Sequence, residues 1–165
     1  MKILVAAIEM ETDLEKYYLK QAKINKGNEL EQIFTMLAND EKEHASILRS
    51  KLEEIDYSLE DSKSLQETKD LFKNMEDFNL DIKELPSQLD SLRFALDMEK
   101  KSIDAYKKMQ TESDNEDAKE VFEFLIRQEK KHFEIIEELI FHQRSVYYKY
   151  IIRRGDLMII VEGVG

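Results

Sequence analysis

Apolar residues recur along four stretches of the chain at steps of three, four and seven, the spacing of a single helical face. Leu4, Ile8, Glu11, Tyr18 and Ala22 predict a helix over about 2–24, which Asn25-Lys26-Gly27-Asn28 breaks. Leu30, Ile33, Phe34, Leu37, Glu41, His44, Leu48, Leu52 and Ile55 predict a second helix over about 28–55, and so short a turn makes the pair an antiparallel hairpin. Residues 56–86 carry no continuous stripe and are read as a crossover; Leu65, Lys69, Leu71, Phe72 and Met75 suffice for one short helix within it. Ser87, following Pro86, is the expected N-cap of a third helix over about 87–111, whose face is Leu92, Ala95, Leu96, Glu99, Ile103, Tyr106 and Met109. After the turn Ser113-Asp114-Asn115, Val121, Phe122, Leu125, Glu129, His132, Ile136, Leu139 and Ile140 form a fourth stripe reaching about residue 144 or slightly beyond.

The fold class that follows is all-α: two hairpins joined by one long crossover, the ferritin-like four-helix bundle, in residues 1–145. A repeat supports it. The shift of 88 positions that carries Glu41 onto Glu129 also carries Ala7 onto Ala95, Met10 onto Met98, Phe34 onto Phe122, Leu37 onto Leu125 and Ile47 onto Ile135. Duplication of a helical hairpin explains these matches. Residues 146–165 read as a C-terminal extension, in which the β-prone runs Val146–Ile152 and Leu157–Val161 flank Arg153-Arg154-Gly155-Asp156. That extension is expected either to form a small hairpin or to continue the helix and then pack as a tail on the bundle or on a second chain.

Composition narrows the partners. The 165 residues are 42% apolar, enough for one domain with a core, and a single proline with four glycines suits long helices. A net charge of −11 argues against nucleic acid or an anionic membrane as partner and favours attraction of cations. No cysteine is present, which removes disulfides, thiolate metal ligands and thiol nucleophiles. The apolar start, Met1 to Ile8, meets Glu9 and Glu11 too soon for a signal peptide, so the cytoplasm is the expected compartment.

The chemistry lies in polar residues that occupy steps of the apolar stripes. Glu41 and His44, and again Glu129 and His132, stand three apart, so each pair offers a carboxylate and an imidazole from one side of a helix. Under the same shift Glu11 becomes Glu99 and Tyr18 becomes Tyr106. One Glu-His pair would be an ordinary pair of neighbours on a Glu-rich helix; two of the three histidines in equivalent places are not. Four buried carboxylates without counter-charges would be costly or would take up protons, whereas two divalent ions balance them, with neutral imidazoles adding no charge. Mixed carboxylate and imidazole ligands favour iron, or alternatively manganese, over structural zinc. Tyr18 and Tyr106 lie two turns after Glu11 and Glu99; each is either a core aromatic or a hydroxyl donor to a ligating carboxylate, and both are the candidate catalytic groups. Asp40 and Gln128, just before the ligand pairs, are candidates to orient a histidine of the opposite helix. His142 has no counterpart in the repeat and reads as structural or exposed, and Glu9, Glu15 and Glu43 read as solvated.

These residues resemble the rubrerythrin branch of the ferritin-like superfamily, in which two Glu…Tyr and two Glu-x-x-His elements hold a non-haem di-iron centre. The resemblance covers roughly residues 2–144 and includes Ala7-Ile8-Glu9-Met10-Glu11 and Ala95-Leu96-Asp97-Met98-Glu99. It implies that Glu11 and Glu99 are terminal ligands, that Glu41 and Glu129 bridge, and that His44 and His132 complete one iron each. Two departures stand out. Rubrerythrins carry a further carboxylate one turn after the third-helix glutamate, where this chain has Ser102, and they usually bear a cysteine-ligated domain. An external electron-donor protein is therefore expected.

Three functions are open at this stage: a di-iron oxidoreductase acting on peroxide or O₂, an iron-handling protein with little turnover, and a metal-free helical interaction module. A homodimer is the expected assembly. Gly155–Gly163 also has the Gly-flanked apolar character of peptides that load ferritin-like proteins into encapsulin shells.

Overall fold

The computed structural model describes residues 2–74 and 83–154. Five helices follow in order, α1 (Lys2–Ile24), α2 (Glu29–Leu52), α3 (Ser64–Asn74), α4 (Leu85–Glu112) and α5 (Glu116–Arg153), and the described residues contain no strand. Helices α1 and α2 pack as one antiparallel hairpin, α4 and α5 as another, and the crossover carries α3 against α2 and α5. This is the expected all-α ferritin-like bundle.

The turn of the first hairpin uses Gly27 at φ 90°, a left-handed conformation that glycine adopts without a side-chain clash. Asn28 then caps α2 by accepting from the Leu30 amide at 2.9 Å, and Asn115 caps α5 by accepting from Ala118 at 2.8 Å. Three helix limits differ from the sequence reading. Ser87 is not an N-cap: α4 begins at Leu85, with Pro86 in its first turn, where its missing N–H breaks no helical bond, and the cap position is Glu84. Helix α2 stops at Leu52 because Glu54 turns to φ 57°, leaving Ile55 outside the stripe and exposed. Helix α5 runs past residue 144 to Arg153, so of the two forms expected for the extension it is the helical continuation that Val146–Ile152 adopts; residues 155–165, including the encapsulin-like peptide, lie outside the described residues. Among the described residues no helix is long and apolar enough to cross a membrane.

Two apolar clusters fill the bundle. The first joins Leu14, Tyr18, Leu30, Ile33, Phe34 and Leu37 to Ala95, Ile135 and Ile136. The second joins Tyr106, Ala118, Val121, Phe122 and Leu125 to Ala7, Ile47 and Leu48. The 88-residue shift exchanges them, so each cluster is built mainly from one hairpin and completed by the other. Leu65, Leu71 and Phe72 of α3 pack on the first cluster. A run of amides ties the turn of the first hairpin to α4 and α5: Gln88 donates to Asn25 Oδ1 at 3.2 Å, and Gln143 donates to Gln88 Oε1 at 3.2 Å.

Candidate metal centre

Glu11, Glu41, Glu99 and Glu129 are fully buried, and His44 and His132 are 3% and 1% exposed. Each stands where its helix's stripe would otherwise present a leucine or isoleucine, because the 3.6-residue period brings it to the inner face with the apolar residues. All six predicted ligands converge. Their atoms fall into two groups, Glu11, Glu41, His44 and Glu129, and Glu41, Glu99, Glu129 and His132; within each, four ligand atoms lie within 4.8 Å of one another, a spacing that could hold a metal ion. Glu41 and Glu129 belong to both groups, the sharing that bridging ligands require.

The histidines enter through Nδ1. His44 Nδ1 lies 3.1 Å from Glu129 Oε1, 3.2 Å from Glu41 Oε2 and 3.4 Å from Glu11 Oε2. His132 Nδ1 lies 3.0 Å from Glu41 Oε1 and 3.5 Å from both Glu99 Oε1 and Glu129 Oε2. The rings stack with centroids 5.5 Å apart. The tyrosines cross between hairpins: Tyr18 of α1 donates to Glu99 of α4, and Tyr106 of α4 donates to Glu11 of α1. Both tyrosines are thus donors to candidate ligands as well as core aromatics, stacked on Phe34 and Phe122 at centroid separations of 6.1 and 6.0 Å.

The electrostatics show what the cluster does without an ion. Burial pushes the Glu41 carboxyl up to about 8, helped by the charge of Glu11, and burial with the charge of Glu129 pushes Glu99 up to about 8. Burial opposes charge on Glu11 as well, but hydrogen bonds from Glu41, His44 and Tyr106 and the His44 charge hold it down to about 2. Burial likewise disfavours imidazolium, yet the surrounding carboxylates raise His44 and His132 well above their ordinary range. Burial first, and then Glu99 and Glu11 respectively, keep Tyr18 and Tyr106 protonated far above neutral pH. Protons occupy places that cations would take.

The donor set fits a pair of hard or borderline divalent ions. Oε2 of Glu99 is buried with no hydrogen-bond partner, Oε2 of Glu11 and of Glu129 is met by a histidine Nδ1 at no better than 3.4 and 3.5 Å, and carboxylate oxygens left so inside a protein are expensive unless a cation meets them. The sequence profile of the rubrerythrin family matches residues 2–140. The chain belongs to the rubrerythrin family. No curated protein and no solved structure matches it. Rubrerythrin domains typically bind di-iron, and the two groups of this one are compatible with such a centre.

Of the two candidate orienting residues, one acts as expected. Asp40 Oδ2 lies 2.9 Å from His132 Nε2, whereas Gln128 is drawn to the crossover, donating to Asp61 Oδ1 at 2.7 Å and accepting from the Ser62 amide at 3.0 Å. Asp61 and Ser62 escaped the sequence reading because they lie in an aperiodic stretch that carries no signal of where it docks. Ser102, in the place of the extra family carboxylate, is buried with an unpartnered hydroxyl. His142 is half-buried against Phe72 at a centroid separation of 5.1 Å, a structural role. Glu9 and Glu43 are exposed and Glu15 is half-buried; none joins the cluster.

Proposed function

We propose that this rubrerythrin-family protein is a non-haem di-iron oxidoreductase that reduces peroxide or O₂ while Fe(II) is oxidised. The observation that supports this most is the pair of four-ligand groups sharing Glu41 and Glu129 in a fully buried layer. Glu11 and His44 would hold one ion and Glu99 and His132 the other, with Glu41 and Glu129 common to both. Two Fe(II) ions held there would supply the two electrons that cleavage of one peroxide to water consumes.

The protein's own groups set the conditions. Tyr18 and Tyr106 fix the terminal carboxylates Glu99 and Glu11 by donating to one oxygen of each, and they hold protons on their hydroxyls at the edge of the site. The apolar clusters on either side exclude water, which strengthens every charge interaction in the layer. These 165 residues contain no cysteine, so the electrons come from a donor outside them. A second reading, iron handling with slow turnover, draws on Ser102: a neutral hydroxyl stands where the family resemblance implies a carboxylate.

Reconstitution separates the readings. Metal-free protein reloaded anaerobically with Fe(II) should retain two irons per chain, and far fewer would remove the di-iron reading. Peroxide should then oxidise them rapidly by stopped-flow absorbance, and His132→Ala should abolish the fast phase. Slow oxidation alike in both proteins would favour iron handling.

A further inference from the structure

The two hairpins supply matching glutamates, histidines and tyrosines to the site, but immediately before each Glu-x-x-His pair α2 has Asp40 and α5 has Gln128. Asp40 places its carboxylate 2.9 Å from His132 Nε2 and is itself steadied by the Ser62 hydroxyl at 2.6 Å. A carboxylate on the outer nitrogen of an imidazole fixes the ring with Nδ1 facing inward and makes that nitrogen a better donor. Gln128 does nothing comparable for His44, because both ends of its amide are taken by Asp61 and Ser62. All of the polar contacts of His44 run through Nδ1. Its ring and Gln128 instead border a cavity of about 410 Å³ beneath the crossover. Ser62 therefore steadies the carboxylate behind one histidine, while Ser62 and Asp61 together draw the matching side chain away from the other.

We propose that the two metal positions are unequal by construction: the position of Glu99 and His132 holds a divalent cation more tightly, the position of Glu11 and His44 empties first, and Asp40 is the positioning residue that sets this order. The proposal rests on the metal-binding reading above. Glu41 and Glu129 serve both positions and cannot create the difference. The terminal glutamates each receive one tyrosine hydroxyl, so they are matched as well. Other mismatches, among them Leu14 against Ser102, Glu43 against Lys131 and Ala45 against Phe133, make no hydrogen bond or ion pair with either histidine. Asp40 against Gln128 remains, and a group of this kind is worth roughly 10–100-fold in metal affinity.

Titration of the metal-free full chain with Co(II), followed by calorimetry and visible absorbance, tests this. Two steps separated by about 10–100-fold are expected. Asp40→Asn, which keeps the side-chain shape and all six ligands, should weaken the tighter step by that factor, spare the weaker one and bring the two together. His44→Ala should lose the weaker step only. Two equal steps in the native chain, or an Asp40→Asn protein in which both steps weaken in parallel as a merely structural role requires, overturns the proposal; the Asp40→Asn result decides it even if His44→Ala does not fold. A native chain that takes up no Co(II) removes the metal-binding reading itself, an outcome distinct from binding two ions equally.

Discussion

The hairpin α1–α2 and the hairpin α4–α5 pack alike and titrate differently. Their apolar clusters exchange under the 88-residue repeat, and their tyrosines reach across to each other's terminal glutamate in the same way. Yet Glu11 is held down to about 2 while its counterpart Glu99 is pushed up to about 8. Packing depends on shape, which duplication preserves. The charge state of a buried cluster depends on the sum of its neighbours, and a metal-free layer of four carboxylates settles by placing protons unevenly. The ligand geometry repeats between the hairpins, whereas titration of the metal-free layer is a property of the coupled cluster as a whole.

The widest consequence concerns shared against terminal carboxylates. Glu129→Ala should abolish uptake of both ions, because Glu129 belongs to both groups, whereas Glu11→Ala should leave one ion bound. Metal analysis after anaerobic reloading reads this directly, and equal losses in the two variants would break the assignment of shared ligands. In the apolar clusters, Phe34→Ala and Phe122→Ala should each destabilise the fold by about 3–5 kcal/mol, with matched values, since both rings are buried and stack on equivalent tyrosines. Urea denaturation of the two variants measures how far the packing symmetry holds.

The pH dependence of the metal-free protein sharpens the electrical contrast. Glu99 has a folded value of about 8 against an ordinary 4.5, so its contribution to stability is full below 4.5 and is lost as pH rises through 8. Glu11, at about 2 against 4.5, contributes above 4.5 and loses that contribution as pH falls toward 2. Glu99→Gln should therefore flatten the stability curve between pH 4.5 and 8, and Glu11→Gln should flatten it below 4.5, both read from unfolding midpoints across pH. Identical profiles would mean that the halves share their protons evenly. Tyr18→Phe and Tyr106→Phe should each cost about 1–3 kcal/mol, by leaving a buried carboxylate oxygen without its donor, and a gap between them would reveal which terminal glutamate depends more on it.

The smallest effect is at the helix starts. Asn28→Ala and Asn115→Ala should each cost about 1 kcal/mol in thermal or urea unfolding. The amides they cap, Leu30 and Ala118, are repeat equivalents, but the caps themselves are not, because the α4–α5 turn is one residue shorter. Similar costs would show that the satisfied amide matters more than the turn that satisfies it.

Much of this protein is written locally. The four stripes, the two Glu-x-x-His pairs, the paired tyrosines and the 88-residue repeat all follow from helical periodicity, which depends on residues three, four and seven apart and needs no partner. The six buried candidate ligands were legible for the same reason: a charged residue on an apolar face stands out before the face has anything to pack against. Helix limits were less so, since Pro86 within a first turn and the left-handed Glu54 obey local sterics that a stripe does not register. What tertiary structure alone decided is which groups meet across helices. It crossed the tyrosines between hairpins, divided six candidate ligands into two groups with two in common, set Ser62 on Asp40 behind His132, and bound Gln128 to Asp61 and Ser62. Apart from that of Ser62 to Asp40, the hydrogen bonds among them join residues 66 to 95 positions apart, and only the folded bundle fixes such separations.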